Sequence, residues 1–405
     1  MSSVPGAPNS NSAASHGDHW AALFAGFLGW ALDAFDYFLV VFCLTAIGKD
    51  FHKSDKSMAI AILLTLAFRP IGAFIFGLLA DRYGRRLPLM LDLIFYSVVE
   101  VATGFARDFT TFLILRALFG IGMGGEWGVG ASLAMEKIPV KWRGVLSGLL
   151  QQGYSLGSVL AALCYLFLFN RWGWRPMFFL GGLPALLAIF VRLRVKESEV
   201  WERSKRASWG QLGSSITSHW RLFIYIALLM TAMNLASHGT QDMYPTFLQR
   251  FWKLGPSERS LISAVSMIGA LIGGVLVGLI SDRYGRRRAM IGALALAVVL
   301  IPAWAYAPRV SLLFAGAFFM QFCVQGAWGV IPAHLSELTP NAIRGFLPGF
   351  GYQCGALLAG SVSYFEAALA EHMSYATAMA STAAVVFLFA IIMIAIGKEH
   401  RGIQF

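Results

Sequence analysis

Twelve apolar runs, each of roughly 20 residues or more, follow one another along this chain with only short polar loops between them. They lie near 20–47, 58–80, 87–106, 109–134, 145–169, 174–194, 221–249, 259–281, 289–307, 310–334, 346–370 and 374–397. A hydrocarbon core about 30 Å thick takes about 20 helical residues to cross. Lipid offers no partner to a backbone amide or carbonyl, so each run must satisfy its hydrogen bonds internally, as a helix. Composition points the same way: 57% of the residues are hydrophobic, 13% are charged, and the mean hydropathy is +0.65. The expected fold is an all-α membrane protein with 12 transmembrane helices.

The charge is distributed by side. With the N-terminus assigned to the cytoplasm, loops after the even-numbered runs hold twenty Lys and Arg, and loops after the odd-numbered runs hold ten. The positive-inside rule then places both termini in the cytoplasm. This bias accounts for the net charge of +11, so no nucleic-acid partner is expected. Residues 1–18 are rich in Ser, Asn, Ala and Pro and lack a basic start. They predict a disordered cytoplasmic tail and no cleaved signal peptide. Cys43, Cys164, Cys323 and Cys354 all fall within apolar runs, without ligand spacing, and read as core. No metal spacing, nucleotide loop or nucleophile–base pair appears. Neither an enzyme nor a cofactor is expected, apart from a proton as coupling ion.

The chain repeats itself. Gly77-Leu-Leu-Ala-Asp81-Arg-Tyr-Gly-Arg85-Arg86 returns as Gly278-Leu-Ile-Ser-Asp282-Arg-Tyr-Gly-Arg286-Arg287, an offset of 201. The same offset carries Trp127-Gly128 onto Trp328-Gly329, and Glu136 and Arg143-Gly144 onto Glu337 and Arg344-Gly345. Three matches at one offset define two homologous six-helix bundles, 19–194 and 220–398, joined by a polar, basic linker at 195–219 and followed by a short tail at 399–405. Such halves, facing each other across a central cavity, are the architecture of a secondary transporter with its site near the midplane. In each loop the Asp is expected to reach the N-terminus of the helix that follows it, where the dipole favours an anion. The arginines, Arg85 and Arg286 among them, are placed to pair with Glu136 and Glu337, and Arg143 and Arg344 belong to the same expected gate.

Charges inside the runs carry the functional reading, because an ionisable group at membrane depth costs several kcal/mol and needs a polar setting. Asn234, His238, Asp242 and Thr246 follow at i, i+4, with Ser237 and Gln241 on the same flank, which makes one polar stripe on a helix. Asp242, one turn from His238, makes the imidazole a proton-handling candidate. Pro245 removes a backbone donor and weakens the helix at that end. The offset maps Asp33 onto Asn234 and Asp36 onto Ser237, so the two stripes flank one cavity. Arg69 falls near the middle of the second run. Two readings stand for it: a bidentate clamp for a substrate carboxylate, or a structural pair with Asp33 or Asp36. Two also stand for Arg116: a second charge relay, or a salt bridge to Glu100. Gln151, Gln152, Tyr154, Tyr352 and Gln353 are candidates to face the cavity, and His334 to join the gate. No role follows for Asp92 or Glu366.

The duplicated Gly-x-x-x-Asp-Arg-x-Gly-Arg-Arg loop resembles the signature of the major facilitator superfamily, where such loops latch the cytoplasmic gate. Asn234-x-x-Ser237-His238-x-x-Gln241-Asp242-x-x-x-Thr246 resembles the span-7 signature of its sialate:proton symporter family. That family includes sialic-acid permeases and permeases for lactate, pyruvate and other short carboxylates. The resemblance implies transport roles for Arg69, Asn234, His238, Asp242 and Gln353. It therefore adds Gln353 to four positions that the residues had already marked. It also implies a small carboxylate and protons as partners, within the bilayer of a plasma or inner membrane. A monomer is expected. Some sialic-acid permeases of the family carry an extra pair of spans, and the 195–219 linker has no apolar run to supply one.

Overall fold

The computed structural model describes residues 16–204 and 208–405. In the first bundle, α1 (His16–Asp50), α2 (Asp55–Tyr83), α3 (Arg86–Gly104) and α4 (Phe109–Lys137) are long helices. The fifth span is divided into α5 (Arg143–Gln151) and α6 (Gly153–Trp172), and the sixth into α7 (Arg175–Phe179) and α8 (Leu183–Arg194). Two short helices, α9 (Glu199–Arg203) and α10 (Trp209–Ser218), lie in the segment between the bundles. The second bundle holds α11 (Trp220–Gln241), α12 (Tyr244–Arg250), α13 (Pro256–Tyr284), α14 (Arg286–Ala305), α15 (Val310–Leu338), α16 (Leu347–Ala359), α17 (Val362–His372) and α18 (Tyr375–Ile396).

Among the described residues, eleven helical stretches are long and apolar enough to cross a membrane. The remaining expected span, the eleventh at 346–370, is interrupted where Gly360 and Ser361 separate α16 from α17. Span 7 is interrupted as well. Pro245 stands in the first turn of α12, so the helix that ends at Gln241 restarts at Tyr244. A proline is tolerated there because the first turn needs no donor. The stripe expected over 234–246 therefore stops at Asp242, and Thr246 belongs to the next helix. The expected tail at 1–18 is also shorter. Helix α1 begins at His16, with Asp18 in its first turn, where the positive end of the dipole favours it. Residues 1–15 lie outside the described residues.

Within each bundle the same pairs meet: α2 lies along α4, and α13 along α15. A β-carbon built on Gly72 would stand 1.6 Å from the Ile121 carbonyl oxygen, and one on Gly273 would stand 2.1 Å from that of Phe322. Gly72 and Gly273, like Ile121 and Phe322, are related by the repeat offset. Helices in lipid gain nothing from hydrophobicity alone and associate by close backbone packing at small residues. Nothing but hydrogen fits at these two crossings. Between the bundles, α5 packs on α13 and α15, and α16 on α2 and α4.

Replacing Gly72 or Gly273 by Leu should force the helix pair apart at a cost of about 3 kcal/mol or more. Melting of the purified protein in detergent tests this. A melting temperature within about 2 °C of the parent would contradict it.

Candidate functional site

At the basic end, Asp81 and Asp282 close α2 and α13. The carboxylate of Asp81 accepts from the backbone amides of Gly345 at 2.7 Å and Phe346 at 2.9 Å, at the entry to α16. Asp282 accepts from those of Gly144 at 2.8 Å and Val145 at 3.0 Å, at the entry to α5. Each aspartate thus caps a helix of the opposite bundle. This corrects the expectation that it caps the helix following it in sequence. Those ends are occupied. Glu197 accepts from the amides of Arg85 and Arg86 at 2.9 and 3.1 Å, and Glu399 from those of Arg286 and Arg287 at 3.2 and 2.9 Å. Gly84 and Gly285, at φ of 101° and 106°, turn the chain through a conformation that favours glycine. The aspartate before each turn is left aimed sideways across the seam.

Buried ion pairs reinforce this. Arg85 reaches Asp81 at 2.7 Å and Glu136 at 3.0 Å, and Arg286 reaches Asp282 at 2.7 Å and Glu337 at 2.9 Å. Two pairs cross between bundles: Arg143 to Glu337 at 3.1 Å, and Arg344 to Glu136 at 3.5 Å. The ring of Phe405 lies between the crossing arginines, its centroid 4.0 Å from the guanidinium carbon of Arg143 and 3.8 Å from that of Arg344. The hydroxyl of Ser147 donates to the Gly329 carbonyl at 2.7 Å and accepts from the Ala333 amide at 3.0 Å. All eight expected gate residues therefore meet in one seam. His334, also expected there, is fully buried, and neither ring nitrogen has a partner.

Midway along α2, Arg69 is 7% exposed, and its Nε and Nη2 atoms have no hydrogen-bond partner. Those two atoms form the edge of a guanidinium that meets a carboxylate side-on. Among the described residues Arg69 makes no ion pair, so neither Asp33 nor Asp36 is its structural partner in this conformation. Its guanidinium lies 5.8 Å from the ring centroid of Tyr352, within cation–π range. Tyr352 is ringed by Trp127 at 4.6 Å, Trp328 at 5.7 Å and Trp30 at 6.4 Å. Gln353, beside it on α16, is buried with neither amide atom paired. Arg116 is settled as a structural pair: it binds Glu100, with one contact at 3.1 Å, and Thr103 at 2.6 Å.

On α11, Asn234 turns back to its own helix and donates to the Met230 carbonyl at 2.7 Å. His238 lies 3.2 Å from Asp242, and the two side chains are 45% and 42% exposed. Asp242 also accepts from Ser363 at 3.0 Å. Ser237 and Gln241 face α15 instead, where Gln325 donates to Ser237 at 2.9 Å and Gln241 to Gln321 at 2.7 Å. Gln151 accepts from Trp127 at 3.1 Å. Arg69 and the His238–Asp242 pair do not touch. Tyr37 and Tyr154 both stand in the fields of Arg69 and Asp242, so the cation and the stripe share one aromatic environment.

Sequence reasoning missed Gln321, Gln325 and Ser363, and found no role for Glu366. The two glutamines are four apart in one span, a visible sign of a second polar stripe. Glu366 is buried and unpaired on α17, and its carboxyl lies 3.5 Å from where a β-carbon on Gly239 would stand.

Two six-helix bundles clasped at one end, with a buried cation at mid-depth, give the fold and site of a membrane transporter. The chain belongs to the major facilitator superfamily: the model for the Major Facilitator Superfamily matches residues 26–251, and that for Sugar (and other) transporter matches residues 239–398. It is 30% identical to a probable 4-methylmuconolactone transporter of Cupriavidus pinatubonensis, over 94% of this chain and 90% of that one. It is 28% identical to a carboxylic acid transporter protein homolog of Saccharomyces cerevisiae, over 95% and 69%. It is 27% identical to the sialic acid transporter NanX of Escherichia coli, over 83% of each. Among solved structures it is similar to a proton:xylose symporter bound to 6-bromo-6-deoxy-D-glucose, with a TM-score of 0.75 at 20% identity, covering 95% of this chain and 97% of that one. The protein is thus a multi-pass membrane transporter and not an enzyme.

Asp81→Asn should weaken the seam by about 2 kcal/mol, roughly thirtyfold in its opening equilibrium. A cysteine placed at Phe350, in a variant lacking the native cysteines, reports it through maleimide labelling from the basic end. Unchanged labelling would show that the aspartate does not hold the seam.

Proposed function

We propose that this transporter carries a small monocarboxylate, with lactate or pyruvate as the type substrate, in symport with protons. The observation supporting this most directly is the buried, unpaired Nε/Nη2 edge of Arg69. A guanidinium whose side-on edge is left without hydrogen-bond acceptors at membrane depth is costly. A carboxylate arriving side-on supplies both missing hydrogen bonds and the missing charge. The similar proteins named for a carboxylic acid and for sialic acid fit an anionic substrate, as does the span-7 resemblance. In this reading the basic end faces the cytoplasm, and the clasped seam makes the conformation outward-facing.

The cycle follows from the charges. A proton is taken up at the His238–Asp242 pair or at Asp36, with Asp33 behind it. The substrate carboxylate meets Arg69. Asn234 and Gln353 hydrogen-bond its hydroxyl or keto oxygen once Asn234 leaves its own helix. With both charges matched, occlusion in a low-dielectric interior becomes feasible. The bundles rock, the crossed caps at Asp81 and Asp282 release, and substrate and proton leave inward. One proton with one monoanion moves no net charge, so the pH gradient drives uptake. A sialic-acid symporter is the second reading, and NanX is the observation favouring it. Competition separates the two: excess sialic acid should leave lactate uptake unchanged.

Labelled lactate uptake into proteoliposomes with an acidic exterior is the test. Uptake should rise steeply as external pH falls, and His238→Ala should flatten that dependence. A pH-independent rate overturns the coupling. Arg69→Lys retains the charge but loses the fork, and should raise the half-saturating concentration about tenfold or more. Unchanged half-saturation would return Arg69 to a structural role and open the site to another acid or to a sugar.

A further inference from the structure

Among the described residues, four buried acids of the first bundle have nothing to hold: Asp36, already given a place in the cycle above, and three more. Asp33 on α1, Asp92 on α3 and Glu126 on α4 are each 0% exposed, and none of their six carboxyl oxygens has a hydrogen-bond partner. They lie together. The Glu126 carboxyl rests against Gly29, one turn before Asp33, where a β-carbon would come within 2.1 Å of it. The β-carbon of Tyr96 faces Gly122, one turn before Glu126, at 2.5 Å from the same construction. Helices α3 and α4 are consecutive, adjacent and run in opposite senses. Asp92, one turn back along α3, therefore lies at the level of Glu126, one turn on along α4. The Tyr96 hydroxyl, in the field of all three acids, is itself fully buried and unpartnered.

Other ionisable groups facing the trio are Arg69 on α2 and Glu100 on α3, both near Asp33, and Asp36 on α1, which has Arg116 of α4 near it. Arg116 is bound to Glu100, and Arg69 acts on Asp33 without making an ion pair with it; among the described residues no cation faces Asp92 or Glu126. An ionised carboxylate with neither cation nor donor, far from water, would cost more than the fold can offset. Neutral acids are tolerable there, but with no hydrogen bond they contribute no structural link that an apolar side chain would not. Buried acids of this kind within spans mark proton relays.

We propose that Asp92, Glu126 and Asp33 form a second proton-binding site, inside the first bundle and off the substrate path, that is loaded in this conformation and discharges when the bundle rocks. Loading is a simple exchange: hydronium gives a proton to a carboxylate, one O–H bond forms as another breaks, and water leaves. Asp36, one turn from Asp33 on α1, is the link to the proton-coupling residues of the proposed cycle, and Tyr96 is the neutral hydroxyl able to accept or donate at the trio. The proposal rests on the proton-coupled reading above and adds to its one-to-one cycle a second proton, and with it one net positive charge, but it can fail separately.

Glu126→Gln and Asp92→Asn preserve shape and remove the titrating group. Two measurements on the reconstituted full chain decide the matter. Infrared spectra at neutral pH should show a protonated-carboxyl band that weakens in each variant. Gradient-driven lactate uptake should fall about tenfold, while lactate exchange without a gradient persists within about twofold. A parent protein without that band, or variants with the parental proton-to-lactate ratio and pH profile, overturns the site. Should the protein move no lactate, the band alone still decides whether the trio binds protons. Should one variant fail to fold, the other carries both measurements.

Discussion

Two carboxylates exchanged between bundles hold this conformation. Asp81 and Asp282 each leave the helix that carries them and satisfy two backbone amides on the far side. A helix N-terminus exposes unpaired amides and a partial positive charge. Here the amides that need partners belong to one bundle and the anions that supply them to the other. Separating the halves thus uncovers both at once. The arginines around them serve the same end. Each is bound within its own bundle or across the seam.

Away from the seam the constraint is reversed. Lipid imposes helices everywhere, yet spans 7 and 11 both break, at Asp242–Met243 and Gly360–Ser361. The breaks bring Asp242 and Ser363 within 3.0 Å of each other. Non-helical backbone at such depth is tolerated where protein or water covers it. Among the described residues, the one exposed ionisable pair of the second bundle, His238 with Asp242, stands beside this irregular region.

Much of this was legible in the sequence. Apolar run length gives the helices, and a repeat of motifs at one offset gives the two bundles. The gate residues were legible because charge at a loop end must be paired. The helix that each aspartate caps was not. Its target is hundreds of residues away, and the glycine turn that aims it has no signature beyond a glycine. The Arg69 position was readable from its depth, but whether it was paired was not, since Asp33 and Asp36 stand at suitable spacing and yet do not reach it. Glu126 was hidden among glycines that announce packing, Glu366 stood alone in its run, and Asp92 shared its run only with Glu100, two turns on. Single acids in a span carry no periodicity, so only the tertiary arrangement shows which of them gather. Asn234 illustrates the opposite case: a conspicuous stripe residue that in this state bonds to its own helix.

The glycine crossings of α2 with α4 and of α13 with α15 have a mechanical consequence. Backbone resting on backbone, with no side chain between to slide or swing, transmits force without give. Each half then behaves as a stiff lever rather than a bag of springs. Such levers leave bending to the clasp at one end and to the divided spans, 5 and 6 in one half and 7 and 11 in the other, so that a small loss of grip at the clasp is magnified along the arm into a wide displacement at the opposite mouth.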